Sequence, residues 1–214
     1  MVFRLTKELV FPAPELADDD GLLAVGGDLS EERLMLAYSM GIFPWYSDET
    51  PILWYAPHDR FVLFPEKVFV SKSMRKIINA GTFVITRDKA FEKVINACAG
   101  TARKGQPGTW ITDDMRQAYI NLHKKGIAHS IEVWSNDELA GGLYGVEMNN
   151  VFCGESMFSN ISNASKAALI WLCKSYQYTM IDCQFYTEHL ESMGAEYLSR
   201  EDYMKVMKAN SESL

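Results

Sequence analysis

The chain has 214 residues and a formal net charge of −7, with 48% hydrophobic and 23% charged residues. This composition is typical of a globular protein with one fair-sized domain, or with a small domain joined to a larger one, and it excludes an intrinsically disordered chain. The negative charge disfavours a protein that coats nucleic acid, although a local basic patch is enough to bind one end of an RNA.

The first 60 residues predict a small unit with one helix and much loop. Ser30 is placed as the N-cap of this helix, Glu32 adds an acid in its first turn, and Gly41 ends it. Proline and glycine punctuate the flanking segments at 11–14, 26–28, 43–45 and 56–57. Because the pattern changes after Arg60, we predict an N-terminal domain over residues 1–60 and a second domain over 61–214.

Helices and strands follow in blocks along the second domain. We predict, in chain order, a strand at 60–64, a helix at 71–80, a strand at 82–86, helices at 89–99 and 112–125, strands at 130–134, 139–148 and from 151, a helix at 163–176, a strand at 180–185, and helices at 188–193 and 200–208. The three central strands form a meander through short turns. This order predicts an α+β fold with a mixed, mostly antiparallel sheet.

Cysteine spacing and hydropathy indicate a cytoplasmic protein. The four cysteines form no C-x-x-C pair, which favours reduced thiols. Residues 1–10 mix charged and apolar side chains and do not resemble a signal peptide. No stretch approaches the roughly 20 apolar residues that cross a bilayer, so we expect no membrane association.

The residue patterns favour neither a metal site nor a hydrolase. The four histidines include no pair four residues apart, and we predict no metal and no cofactor. Ser156, Asp182 and His189 occur in the order of some hydrolase triads, but Phe158 stands where a nucleophile elbow needs glycine. Cys153 and Cys183 lie in apolar strands, where an unactivated thiol packs as a small hydrophobe.

The predicted layout is similar to the N-acetyltransferase fold, in which a splayed sheet holds an acyl donor against an amine. Those enzymes bind the pyrophosphate of coenzyme A with a glycine-rich loop, because backbone amides must approach the phosphates closely. The corresponding residues 159–165 contain no glycine. The sequence therefore keeps the fold and disfavours the coenzyme.

Eight strings, in the same order, resemble the bacterial leucyl/phenylalanyl-tRNA–protein transferases. They are GLLAVGGDL at 21–29, GIFPWY at 41–46, TWIT at 109–112, HSIEVW at 129–134, GGLYGV at 141–146, FCGESMFS at 152–159, NASK at 163–166 and IDCQ at 181–184. The resemblance implies a small N-terminal domain joined to an acetyltransferase-like (GNAT-like) catalytic domain. It also implies transfer of Leu, Phe or Met from aminoacyl-tRNA to proteins that begin with Arg or Lys, whose products enter N-end-rule degradation. We expect a monomer that binds the acceptor end of the tRNA.

The same resemblance assigns the site residues. Asp182 and Gln184 form the catalytic pair, and strand alternation directs both to one face. Glu155 holds the amine, or the basic first residue, of the acceptor. The donor side-chain pocket comprises Leu143, Phe152, Met157, Leu172 and Ile181. The aromatic residues near the 3′ adenosine of the tRNA are Trp45, Trp110, Tyr38 and Tyr119.

Two departures and two alternatives accompany this prediction. Leu143 and Leu172 stand where other members have methionine and phenylalanine, so the size of the pocket differs. The first alternative is a small-molecule N-acyltransferase that uses a coenzyme A donor. The second is a non-catalytic module that binds tRNA ends, for which short basic clusters at 67–76, 103–104 and 124–125 are candidates.

Overall fold

A computed structural model describes residues 2–101 and 110–211 of the chain. Arg103 and Lys104 of one predicted basic cluster, Thr109 of the TWIT string, Met1 and the residues after Ser211 lie outside the described residues. Within the described ranges, every helix is too short or too polar to cross a membrane.

The N-terminal part is a small sheet packed on one helix. Strand β1 (Phe3–Leu5) pairs in parallel with β2 (Leu22–Gly26); α1 (Glu31–Ser39), β3 (Phe43–Pro44) and β4 (Leu53–Tyr55) follow. The strand order is β1-β2-β4-β3. The sequence predicts the helix but not this sheet, because strands of two to five residues are too short to show a period.

Helix α1 lies close to its predicted position. Ser30 occupies the N-cap position, but only its backbone carbonyl takes part, accepting from the Leu34 N–H at 2.9 Å. Gly41 follows the helix with a φ of +70°, a left-handed conformation that glycine adopts without strain. Its carbonyl oxygen accepts from Arg60, 2.5 Å away, and so ties the end of α1 to the larger sheet.

The described residues from Asp59 onward build a seven-stranded sheet. Its elements are β5 (Asp59–Leu63), α2 (Lys72–Asn79), β6 (Val84–Arg87), α3 (Phe91–Ala99), α4 (Asp113–Lys124), β7 (Ala128–Ser135), β8 (Glu138–Met148), β9 (Val151–Ser159), α5 (Ala164–Ser175), β10 (Met180–Gln184), α6 (Glu188–Glu191), β11 (Glu196–Ser199) and α7 (Arg200–Ser211). The strand order is β11-β5-β10-β9-β8-β7-β6, and among these described strands only β9 and β10 pair in parallel. The predicted α+β class with a mixed, mostly antiparallel sheet is confirmed.

Helices cover both faces of this sheet. One face carries residues such as Tyr144 and Cys153, and it is covered by α3, α4, α1 and the N-terminal sheet. On the opposite face, α5 and α2 pack over Leu143, Phe152 and Ile181. We call these the α3 face and the α5 face. The α3 face and the N-terminal part share one hydrophobic cluster. The hydrophobic core is therefore continuous across the predicted boundary after residue 60.

The parallel pair β9–β10 opens in the middle of the sheet. Its described pairing ends at Cys153 and Asp182, although β9 continues to Ser159 and β10 to Gln184. The two strands separate beyond that point, so residues that follow on both strands border a common opening. The candidate site lies there.

Candidate active site

A cavity of about 360 Å³ lies where β9 and β10 separate. This volume is at the lower end of the range of roughly 300–1,000 Å³ found for ligand pockets. Ten of the residues predicted from the sequence line it: Trp45, Trp110, Leu143, Phe152, Glu155, Met157, Leu172, Ile181, Asp182 and Gln184.

The inner part of the cavity is apolar and belongs to the α5 face. All five residues predicted for the side-chain pocket border it, and Leu169 and Leu190 extend the same wall. Phe152, Leu172 and Ile181 are at most 2% exposed, so they form a fixed wall. A slot of this kind fits an uncharged aliphatic or aromatic side chain.

A bulge in β9 explains why Phe152 and Met157 face the same slot. In the pairing with β8, Tyr144 lies opposite Ser156 while Gly145 lies opposite Gly154, which leaves Glu155 as the extra residue. Simple alternation would put two residues five positions apart on opposite faces. Because of the bulge, the side chains of Phe152 and Met157 both face the slot, and the direction of the Glu155 side chain changes as well.

Glu155 is a buried carboxylate held by three donors. The Tyr38 hydroxyl and Gln184 Nε2 donate to Oε1 at 2.7 and 2.9 Å, and the Tyr119 hydroxyl donates to Oε2 at 3.0 Å. Burial raises the pKa of Glu155 from 4.5 to about 7, against the lowering effect of these hydrogen bonds. The carboxyl group can therefore gain or lose a proton near neutral pH.

Tyr38 and Tyr119 are buried beneath Glu155 and do not line the cavity themselves. Their side chains are at most 2% exposed, their hydroxyl oxygens are 2.5 Å apart, and both hydroxyls contact Glu155 from the α3 face. Burial also raises the pKa of each phenol, which keeps both neutral donors. Neither ring offers a free face for a base, and both hydroxyls position Glu155; a place of these two residues near the adenosine stays a prediction.

Gln184 ends β10 in a strained conformation. Its φ is +62°, and the pairing of β10 with β5 shifts register between Asp182 and Gln184. A left-handed glutamine costs on the order of 1–3 kcal/mol. The Asp182 carboxylate stabilises this turn, because its Oδ1 accepts from the Gln184 N–H at 2.9 Å.

Asp182 is 1% exposed and is held by two residues that the sequence-based prediction missed. Arg60 Nε lies 3.3 Å from its Oδ1, and the Tyr203 hydroxyl donates to Oδ2 at 2.9 Å. The Arg60 guanidinium lies between the rings of Phe43 and Tyr203, 4.7 Å from each centroid. Arg60 is on β5 and Tyr203 on α7, so no local pattern links them to Asp182.

Aromatic residues surround the cavity on the side of the N-terminal part. Trp45 and Trp110 are both half-buried and border it, as do Phe43 and Phe185. The Trp45 ring is 5.1 Å from the Phe185 ring and 5.7 Å from the Tyr55 ring, which fixes its orientation. These side chains give the opening flat apolar surfaces.

His189 is a further lining residue that the sequence-based prediction missed. Its Nε2 is buried and has no hydrogen-bond partner in the described part of the chain. Burial, followed by the nearby Lys166, lowers the pKa of its imidazole and favours the neutral ring. The sequence analysis names His189 only as a member of the disfavoured hydrolase triad, although its place five residues after Gln184 also puts it close to the site.

The described residues contain no group of three or more His, Cys, Asp or Glu arranged to hold a metal ion. Several backbone N–H groups within residues 159–165 are engaged in local hydrogen bonds. The N–H groups of Asn160 and Ile161 donate to the Ala140 carbonyl, and that of Ala164 to the Ile161 carbonyl. These three N–H groups are therefore not free to bind a phosphate at the start of α5.

Comparisons with known proteins give a consistent result. A family model described as leucyl/phenylalanyl-tRNA protein transferase matches residues 62–208, and the model of its N-terminal domain matches 27–58. A leucyl/phenylalanyl-tRNA–protein transferase of Flavobacterium johnsoniae is 51% identical over 211 residues, covering 97% of this chain and 100% of that protein. One from Syntrophus aciditrophicus is 54% identical over 207 residues, covering 95% and 87%.

Similarity to solved structures is weaker. A GCN5-related N-acetyltransferase from Kribbella flavida aligns with a TM-score of 0.41 and 9% identity, covering 74% of this chain and 57% of that one. A functionally unknown conserved protein from Staphylococcus epidermidis aligns with a TM-score of 0.47 and 7% identity, covering 83% and 68%. Both TM-scores are below 0.5.

Proposed function

Because this chain belongs to the leucyl/phenylalanyl-tRNA–protein transferase family, we propose that it transfers Leu, Phe or Met from aminoacyl-tRNA to proteins that begin with Arg or Lys. The observation that supports this most directly is a single cavity with an apolar slot at one end and Glu155 with Gln184 beside it. The product then carries the N-terminal residue that marks it for degradation.

The donor spans the sheet in this proposal. Its side chain occupies the slot on the α5 face, and its ester lies in the gap between β9 and β10, next to Gln184. The terminal adenosine stacks against Trp45 and Trp110 on the other side of the gap. Stacking contributes about 1–3 kcal/mol per base and does not depend on the sequence of the tRNA body.

Peptide-bond formation needs positioning and proton handling, because the donor is already an activated ester. The acceptor nitrogen forms a bond to the ester carbon, the bond from that carbon to the ribose oxygen breaks, and the proton lost by the amine passes to the departing ribose oxygen. The side-chain Nε2 of Gln184 donates a hydrogen bond to Glu155. The side-chain carbonyl oxygen of Gln184 can therefore accept a hydrogen bond from the acceptor amine. Asp182 acts as a positioning residue for Gln184, since its carboxylate is held by Arg60 and Tyr203.

The decisive experiment follows labelled Phe or Leu from charged tRNA to a peptide that begins with Arg. We expect transfer by the wild-type chain and a much lower kcat for Gln184→Ala, with the KM for charged tRNA little changed. Trp110→Ala should instead raise that KM. Absence of transfer by the wild type, with donor and acceptor verified, would refute the proposal.

Two other functions make different predictions. A coenzyme A-dependent acyltransferase would bind acetyl coenzyme A, which the local hydrogen bonds of residues 159–165 disfavour. A non-catalytic tRNA-end-binding module would bind charged tRNA and release no peptide product. It would also need no buried polar group beside the slot.

The organisation of the chain completes the proposal. We place the domain boundary after residue 60, with a small N-terminal domain over 1–60 and the catalytic domain over 61–214. The protein acts as a cytoplasmic monomer without metal or cofactor. Light scattering of the purified chain would test the oligomeric state.

A further inference from the structure

An exposed aromatic surface lies directly beside the cavity. Tyr186 and Tyr197 are 43% and 61% exposed, an unusual position for two large rings. Tyr186 comes between Phe185 and Thr187, which both line the cavity. The surface is therefore within one residue of the opening.

The two tyrosine rings are held in a defined arrangement. Their planes are nearly parallel, at 12°, with centroids 6.3 Å apart. The buried Phe61 ring contacts both edge-on, at 5.3 and 5.0 Å. A rigid pair of this kind loses little conformational entropy when a ligand covers it.

Acidic groups border the tyrosines. The Tyr186 hydroxyl donates to Glu191 Oε2 at 2.8 Å, and Glu188 lies one turn away on α6. Both carboxylates are exposed, and neither forms an ion pair within the described ranges. Lys67, the last residue of the short 3₁₀ helix Pro65–Lys67, is already paired with Glu196 at 2.5 Å.

This charge distribution selects among ligands. Unpaired carboxylates attract a cation and repel a phosphate, so a basic side chain fits this surface better than an RNA strand. A guanidinium or ammonium group also interacts favourably with the face of a tyrosine ring.

We propose that Tyr186, Tyr197, Glu188 and Glu191 bind the cationic side chain of the acceptor's first residue. This inference rests on the proposed function and names the subsite that selects Arg and Lys. Glu155 is a poor alternative, because it is buried and already accepts from three donors.

The distances suit one residue bound at two points. Gln184, which contacts the attacking amine in the proposed function, is two residues from Tyr186. Two residues of chain span at most about 7 Å. An extended Lys or Arg side chain has a comparable length, so in this proposal the α-amine lies at Gln184 and the side-chain cation lies at Tyr186 and the neighbouring acids.

The test compares two peptides that differ only in the first residue, Arg or its uncharged isostere citrulline. The wild type should prefer Arg. Tyr186→Ala and Glu191→Gln should each reduce the Arg-to-citrulline ratio of kcat/KM by about threefold to thirtyfold, mainly through the KM of the Arg peptide. Tyr186→Phe keeps the ring and should retain most of the preference.

The controls separate this subsite from the reaction itself. Glu138→Gln removes an exposed acid at the distant β7–β8 turn and should leave the ratio unchanged. An unchanged ratio in both test variants, with normal folding by circular dichroism, overturns the inference. A raised KM for charged tRNA with an unchanged ratio overturns it as well, because the surface would then bind RNA. If the wild type transfers to neither peptide, the proposed function itself fails.

Discussion

At the scale of single residues, the site depends on buried charges that are compensated by specific partners. Glu155 accepts hydrogen bonds from two tyrosine hydroxyls and one side-chain amide. Asp182 forms an ion pair with a buried arginine and accepts a hydrogen bond from a tyrosine. A buried carboxylate without such partners would cost several kcal/mol. The two acids should therefore respond differently to pH and to substitution.

The raised pKa of Glu155 predicts a stability that falls as pH rises. Since its pKa is about 7 in the folded protein and 4.5 in the reference state, folding favours the protonated form. Its contribution is fully present below pH 4.5 and is lost as pH rises through 7. Between pH 5 and pH 8 the loss is on the order of 3 kcal/mol.

Glu155→Gln tests this effect because it keeps an uncharged group of the same size. Denaturant unfolding of the variant should show a smaller decrease in stability between pH 5 and pH 8 than the wild type. Equal pH dependence of the two proteins would contradict the buried, high-pKa carboxyl group.

Asp182→Asn should destabilise the protein, because it leaves the Arg60 guanidinium buried without a counter-charge. We expect a loss of about 3–5 kcal/mol in the free energy of unfolding, together with low activity. Gln184→Ala should lower kcat with a change in stability of only about 1 kcal/mol.

A double variant provides the control for the predicted effect of Asp182→Asn. Adding Arg60→Met to Asp182→Asn removes the unpaired charge and should recover part of the stability but not the activity. If Asp182→Asn is as stable as the wild type, the ion pair does not hold the site together.

At the scale of elements, the β8–β9 pair shapes the slot. The bulge at Glu155 is opposite Gly145, where an added Cβ would lie 2.2 Å from the Cys153 carbonyl oxygen and 2.6 Å from the Phe152 ring. No side chain fits at that distance. Glycine is therefore required for the close approach of the two strands, and Phe152 depends on it for its position.

Gly145→Ala should lower stability by about 1–3 kcal/mol, because the strands or the Phe152 ring must move. Displacement of this ring should also alter the slot and change the ratio of Phe to Leu transfer. Thermal unfolding and a competition assay measure the two effects. Gly100→Ala is the matched control, since its Cβ would meet nothing closer than 3.6 Å; equal effects of the two substitutions would contradict the argument.

At the scale of the whole molecule, the N-terminal part and the larger sheet share one core. Leu34 and Trp54 belong to the same cluster as Tyr144 and Met207. The Arg60 side chain also joins the end of α1 to Asp182. Neither part buries its apolar surface without the other.

We therefore expect a single cooperative unfolding transition for the full chain. Calorimetry should give a ratio of calorimetric to van't Hoff enthalpy of about 1. Leu34→Ala, which removes a fully buried side chain, should lower the midpoint of that one transition by destabilising the whole protein by about 2–5 kcal/mol. Two separate transitions, with only one shifted by Leu34→Ala, would show that the domains are independent.

The sequence alone predicted the features that depend on neighbours along the chain. Helices such as α2, α4 and α5 and the β7–β8–β9 meander follow from periodicity and turn residues, within a few residues at each end. Nine of the ten predicted lining residues lie within the ordered strings, and Leu172 lies outside them.

Only the tertiary structure decided the features that depend on distant residues. The sheet β1–β4, the strand β11 and the partners of Asp182 arise from pairings far apart in sequence, which leave no local period. Strand alternation also fails at the bulge, so it could not show that Met157 joins Phe152. The role of Tyr38 and the pKa of Glu155 were hidden for a related reason: both follow from burial, and burial is a property of the packed molecule rather than of any segment.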